Sequence, residues 1–156
     1  MDKTIYLVDN MVICSKIAAP YVGSTFFMEN VWIIDEVIYE ARNSRSIKSI
    51  KKLQHHLEAR ECERLKQIAL DCFVKYKILK LYEGCADALL LATALAINDI
   101  EGDQTELRFG NITPIIVTEE KDIRDACEDL QIKCISKASL ISIVKHASTI
   151  ELALGV

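Results

Sequence analysis

Proline and glycine are scarce in this 156-residue chain, with two and five copies respectively. That scarcity argues against disorder and against a fold made mostly of turns. Cysteine is present at Cys14, Cys62, Cys72, Cys85, Cys127 and Cys134, but no two are spaced as CxxC. No nearby histidine completes a zinc spacing. The start, MDKTIYLVDN, has no secretory pattern, because charge comes first and an aspartate soon follows a short apolar run. No charge-free apolar run reaches membrane-spanning length. Neither GxxxxGK[ST] nor GxGxxG occurs, which removes the usual phosphate-loop readings. Ser15 and Ser139 lack a recognisable base partner, and His55, His56 and His146 read as ordinary helix residues. These absences predict a soluble, cytoplasmic protein with reduced thiols and no membrane partner.

About half of the chain, 51%, is hydrophobic, enough for a substantial core without staples. Length, and the lack of any linker, predict a single domain over residues 1–156. Net charge is −4, from 23 acidic and 19 basic residues. The sign alone does not indicate a nucleic-acid binder, so the placement of the charges matters more than their sum.

Strand-like apolar runs alternate with helical patterns. Thr4 to Val8 reads as a buried strand, and Met11 to Ala19 as a short helix ending before Pro20. Val31 to Ile34 is a second strand, after which Asp35 can cap a helix through Val37, Ile38 and Ala41. A long helical pattern starts at Ser46 and uses Ile47, Ile50, Leu53, Leu57, Leu65, Ile68 and Cys72. Val74, Tyr76 and Ile78 then alternate with lysines, as a strand or a helix end. Ala86 to Ile97 is almost wholly apolar after Asp87 and must be buried on nearly all sides. Asn98 to Asn111 reads as a polar loop. Pro114 to Val117 is a third strand, and Thr118 can cap a helix from Glu119 to Leu130. Ile132 to Ile135 is a fourth strand, and Ser139 to His146 a final helix. The alternation predicts an α/β sandwich with a mainly parallel sheet.

In an open parallel sheet, ligands bind beyond the carboxyl ends of the strands. Asp9 follows the first strand, Asp35 and Glu36 the second, and Glu119, Glu120 and Asp122 the third. Asp87 starts the apolar helix, and Glu40 lies one turn beyond Glu36. Asp35 and Glu119 are accounted for as caps or first-turn acids beside a helix dipole. Asp9 and Asp87, set against hydrophobic elements, are costly to bury unpaired. Converging carboxylates also repel one another. A divalent cation resolves both costs, and oxygen-only ligands favour Mg²⁺ or Mn²⁺.

The segments that hold these acids resemble the motifs of PIN-domain nucleases. IYLVDNMVI resembles the opening motif, a hydrophobic strand followed by aspartate, here Asp9. WIIDEVIYEA resembles the second, with its acid at Glu40. GCADALLLATALA resembles the third, with Asp87. IIVTEEKDIRDACEDLQI resembles the fourth, with Thr118, Glu120 and Asp122. The four occur in order from about Ile5 to Ile135. The resemblance implies a three-layer α/β/α sandwich with a central, mainly parallel sheet. It implies endoribonuclease activity with Mg²⁺ or Mn²⁺, carried by Asp9, Glu40, Asp87 and Glu120, with Asp9, Asp87, Glu120 and Asp122 as metal ligands. Many small members are toxins paired with an antitoxin protein, often as homodimers, while others process RNA.

The chain departs from that pattern in two places. Asn10 and Met11 follow the first aspartate where the family often has Thr and a small polar residue. Glu120 stands where an aspartate is usual. These departures support an alternative, a degenerate PIN-like domain acting as a non-catalytic RNA- or protein-binding module. A phosphoacceptor receiver domain is disfavoured, because Asp9 has no acidic neighbour and no lysine directly follows PIIVT. Substrate RNA needs positive charge. Arg42, Arg45, Lys48 and Lys51/Lys52 would form one basic stripe leading from Glu40 if that segment were helical. Thr118 is a further contact candidate, and Lys121 and Arg124 form a second basic group.

Overall fold

The computed structural model describes residues 3–54, 86–98 and 112–154, together with Gln67. The expected helix beyond Gln54, the Val74 to Ile78 segment, the polar loop after Asn98, and His55, His56, Cys62, Cys72 and Cys85 lie outside the described residues.

Strand β1 spans Lys3–Val8. Ile5, Leu7 and Val8 are fully buried and Tyr6 nearly so. This continuous burial, with no inside–outside alternation, identifies a central parallel strand covered on both faces. Helix α1 spans Asn10–Ile13, and α2 spans Thr25–Asn30 behind an N-cap Ser24. Strand β2 is Val31–Trp32, α3 is Asp35–Glu40 and α4 is Ile47–Lys51. Helix α5 spans Ala86–Asn98, β3 spans Ile112–Val117, α6 spans Lys121–Leu130, β4 spans Lys133–Ile135 and α7 spans Lys137–Ala153.

The strands form one parallel sheet in the order β2-β1-β3-β4. Val8 pairs with Val117, and Ile135 with the same Val117 on its other side. The fold is α/β, a parallel sheet flanked by helices as in a three-layer α/β/α sandwich. The chain moves from β1 outward to β2, then returns across β1 to β3. The order therefore reverses between β1 and β3, and a crevice is expected beyond their carboxyl ends, at Asp9 and Thr118.

Helix α5 is buried as its composition demands. Leu90, Leu91, Ala92, Ala94 and Ile97 are all nearly inaccessible, and α5 packs on β3. Among its described side chains Thr93 is the one buried polar group, and its hydroxyl donates to the Leu89 carbonyl at 2.6 Å. That back-bond satisfies the hydroxyl where no solvent reaches it.

Several element boundaries differ from the sequence expectation. The helix expected over Met11 to Ala19 stops at Ile13. Ser15 Oγ donates to the Val12 carbonyl at 2.7 Å and accepts from the Ala18 N–H at 3.3 Å. These bonds replace the helix ladder, and Pro20 then opens a single 3₁₀ turn, Ala19–Tyr21. The long helix expected from Ser46 ends at Lys51. There the Leu53 carbonyl leaves the helical pattern to accept from Ile33 N–H at 3.0 Å, with Gln54 bridging Ile33. Asp35 is a first-turn residue, not a cap. Its carboxylate accepts from Gln54 Nε2 at 2.9 Å, while Ile34 takes the cap position. The last helix is longer than Ser139 to His146, because Ser136 caps it by accepting from the Ser139 N–H. Among the described residues, no helix is long and apolar enough to cross a membrane.

Candidate active site

Asp9 leaves the end of β1 in an extended conformation, with φ −81° and ψ 169°. That geometry turns its carboxylate toward the start of α1, where Oδ1 accepts from the Val12 N–H at 3.0 Å. Asp9 is thus the N-cap of α1, a role the sequence reading did not assign. The signal was available: an aspartate directly between a strand and a helix is a favoured cap. The other oxygen, Oδ2, accepts from the Thr118 hydroxyl at 2.5 Å.

Thr118 reverses its expected role. The helix after β3 begins at Lys121, and Glu120 occupies the cap position without a side-chain cap bond. Thr118 is fully buried. Its hydroxyl points inward, donating to Asp9 while accepting from the Glu120 N–H at 3.1 Å. Its own N–H donates to the Ile135 carbonyl at 3.2 Å. The residue therefore ties together the carboxyl ends of β1, β3 and β4.

In front of Asp9 lies a cavity of about 180 Å³ lined by Asp9, Asn10, Met11, Glu40, Ala86, Asp87 and Glu120. Four carboxylates from four separate stretches of sequence meet here, and no lining residue among those described is basic. Asp9 comes from the end of β1, Glu40 from the last turn of α3, Asp87 from the first turn of α5, and Glu120 from the approach to α6. The structure brings these four together as the sequence expected. Asn10 and Met11 also line the cavity, with Met11 66% exposed.

The electrostatics follow from this convergence. Burial raises the Asp9 pKa above its ordinary value. The bonds from Thr118, Val12 and Met11 oppose that rise, and Glu119 adds to it. Glu40 is also raised, first by partial desolvation of its carboxylate and then by repulsion from Asp9 and Glu120. Like charges facing one cavity disfavour ionisation of one another.

Asp122 stands apart. It is an exposed residue in the first turn of α6 and does not line the cavity. Glu119 is held elsewhere, accepting from the Lys137 N–H at the start of α7 at 2.8 Å.

The basic stripe does not form on one helix. Helix α3 ends at Glu40, residues 41–46 turn, and α4 starts at Ile47, so the spacing of Arg42, Arg45 and Lys48 is not a helical one. The break follows from local bonds, with the Ser44 N–H donating to Ala41 O at 2.8 Å. Arg42, Arg45, Lys48, Lys51 and Lys52 are nevertheless all exposed in the stretch that directly follows Glu40. Arg42 turns back onto α3: Nη1 donates to the Tyr39 carbonyl at 2.8 Å, and its guanidinium lies 4.2 Å from the centre of the Tyr39 ring. Lys121 sits 3.6 Å from Asp125 in an exposed pair that contributes little.

The cavity offers the all-oxygen donor set that suits a hard divalent cation. Among the described residues, no three His, Cys, Asp or Glu side chains stand close enough to hold an ion as a group. The carboxylates line a cavity instead of closing a coordination shell. Mg²⁺ tolerates such a site, since it keeps several waters and binds proteins through one or two carboxylates.

No protein-family model matches the chain, and no curated protein matches it in sequence.

Proposed function

We propose that this chain is a metal-dependent endoribonuclease with a PIN-like active site at the carboxyl ends of β1 and β3. The observation that carries the reading is the convergence of Asp9, Glu40, Asp87 and Glu120 on one cavity at the switch point of a parallel sheet. Carboxylates facing one cavity disfavour one another's ionisation, which a divalent cation bound there would relieve, and a cavity open to solvent gives a phosphodiester access. When bound, Mg²⁺ or Mn²⁺ supplies positive charge to the phosphate and acidifies a water.

The chain's own residues then have distinct tasks. Thr118 and the Val12 N–H fix both oxygens of Asp9, so the carboxylate presents one orientation. Asp9, Asp87 and Glu120 would hold the cation, with Asp122 further out. Glu40, whose pKa is raised by partial desolvation and by repulsion from Asp9 and Glu120, would take the role of proton acceptor. Arg42, Arg45 and Lys48 would hold the RNA backbone on the approach to the cavity. An antitoxin partner, a homodimer and a cytoplasmic setting belong to the same proposal.

A second reading, a non-catalytic RNA- or protein-binding module, is favoured by one observation. Met11 stands at the cavity with a side chain that cannot hydrogen-bond a metal-bound water usefully.

The test is cleavage of a mixed RNA pool with Mn²⁺, Mg²⁺ or EDTA, beside Asp9→Asn. The nuclease reading expects metal-dependent cutting that a folded Asp9→Asn loses. Binding of RNA without cutting under any metal condition would replace it with the binding-module reading.

A further inference from the structure

Helix α3 buries Val37 and Ile38 in the core, yet the next residue, Tyr39, is 67% exposed. Among the described residues it is the one exposed aromatic side chain. A single apolar side chain on a surface needs no explanation by itself. This ring, however, is part of a built arrangement. The Tyr39 carbonyl accepts twice from Arg42, from its backbone N–H at 3.3 Å and from Nη1 at 2.8 Å. The two bonds fold Arg42 back, and its guanidinium carbon sits 4.2 Å from the centre of the ring. A guanidinium over an aromatic face is a favourable cation–π contact. Arg42 is exposed too, so a planar cation and a ring are held together in solvent.

The pair stands beside the acidic cavity. Tyr39 directly precedes Glu40, which lines it. Consecutive Cα atoms are about 3.8 Å apart, and consecutive side chains on a helix point about 100° apart. The ring therefore flanks the cavity, in keeping with a lining that includes Glu40 and not Tyr39. Arg45 and Lys48 follow, both exposed.

We infer that Tyr39 and Arg42 form a stacking platform for one unpaired base of the RNA strand that enters the cavity. The inference deepens the proposed function and rests on it. Unpaired bases of RNA stack on aromatic rings and on guanidinium planes. Every base has a π-face, so a platform of this kind holds a strand without reading its sequence. In a duplex the bases already stack on one another, and the platform has nothing to receive. The pinned cation adds attraction to the phosphates of the same strand. A ring paired with a cation, and followed by two more, suits a polyanion with flat bases better than an apolar protein surface.

The test compares a short single-stranded oligoribonucleotide with an abasic strand of equal length and charge. Binding to each is measured by fluorescence anisotropy in EDTA. Wild type is expected to prefer the strand with bases. Tyr39→Ala is expected to weaken binding of that strand by about fivefold or more and to leave the abasic strand unaffected. Tyr39→Leu, apolar but not planar, should behave as Tyr39→Ala does, and Tyr39→Phe as wild type does. Because the side chain lies outside the core, these variants are expected to fold, which circular dichroism checks. Equal losses on both strands would mean that the ring acts through the turn, and no loss on either would mean that it touches no base. Either result overturns the platform, as does a wild type that binds neither strand. The nuclease reading is judged separately, by Mn²⁺-dependent cutting of the base-bearing strand by wild type. Cutting by wild type, with binding indifferent to Tyr39→Ala, would overturn the platform alone.

Discussion

The Thr118 hydroxyl donates to Oδ2 of Asp9 at 2.5 Å, across 109 positions of sequence. Both groups are buried. A buried carboxylate oxygen that loses its donor keeps its desolvation cost with nothing to offset it. Thr118→Val, nearly isosteric, is expected to destabilise the fold by about 1–3 kcal/mol. It is also expected to raise the Asp9 pKa further, because the Thr118 bond is the largest influence lowering it. Thr118→Ser, which keeps the hydroxyl, should recover most of the loss. Urea denaturation of the three proteins checks this, and equal midpoints for Val and wild type would remove Thr118 from its positioning role.

Much of this relationship was legible in the sequence, but not its partner. Apolar runs ending in Asp9 and Thr118 announced two parallel strands and the acids beyond them. The run ADALLLATALAI, almost wholly apolar after Asp87, announced a helix buried on nearly every side. What the pattern concealed were bonds made across distance. Thr118 reads as a helix cap because threonine between a strand and acids usually is one. The inward turn toward Asp9 is a tertiary choice that no local pattern encodes. Similarly, Ile47, Ile50 and Leu53 keep a helical period, yet Leu53 leaves the helix because Ile33 needs an acceptor for its N–H. The break at Ala41–Ser46 had the same effect on the basic stripe, whose residues are exposed but not helically aligned.

Glu40 should show its environment as a pH dependence of stability in EDTA. Its folded pKa lies above the ordinary 4.5. The fold therefore favours the protonated form. The stability this group contributes is fully present below the ordinary carboxylate value and is lost as pH rises through the raised folded value. Near neutrality, the ionised Glu40 opposes folding beside Asp9 and Glu120. Glu40→Gln is expected to have a higher Tm than wild type at pH 7.5, and the difference should vanish as the buffer is brought to pH 4 and below. Differential scanning calorimetry reads both. A Tm difference that is constant with pH would mean that repulsion at the cavity is absent.

Gln131 carries the only positive φ outside glycine among the described residues. A side chain in that region costs about 1–2 kcal/mol. Glycine removes the clash but adds about 0.4–1 kcal/mol of unfolded-state entropy. Gln131→Gly is therefore expected to be neutral or stabilising, by up to roughly 1 kcal/mol. Gln131→Val, β-branched in the same conformation, should be clearly destabilising. A chemical denaturation series reads the order Gly, Gln, Val. A reversed order would mean that the turn after α6 does not hold this conformation in solution.

The exposed cations after α3 make a prediction that separates phosphate contact from mere solvation. A side chain that neutralises one phosphate of a single strand releases counterions, and it contributes about 0.7 to the slope of log affinity against log salt. Arg45→Ala and Lys48→Ala are each expected to weaken binding of a single-stranded RNA and to flatten that slope by about 0.7. The pair together should flatten it by about twice as much if both reach the backbone at once. Arg42→Ala is less clean, because its guanidinium also braces the turn through the Tyr39 carbonyl and ring. Fluorescence anisotropy in EDTA, over a salt series, measures all three without requiring cleavage. Weaker binding with an unchanged slope would indicate that Arg45 and Lys48 act through the fold of the loop and not on phosphate. Unchanged binding would place the RNA path elsewhere around the cavity, with Lys121 and Arg124 on the α6 side as the next cations to neutralise.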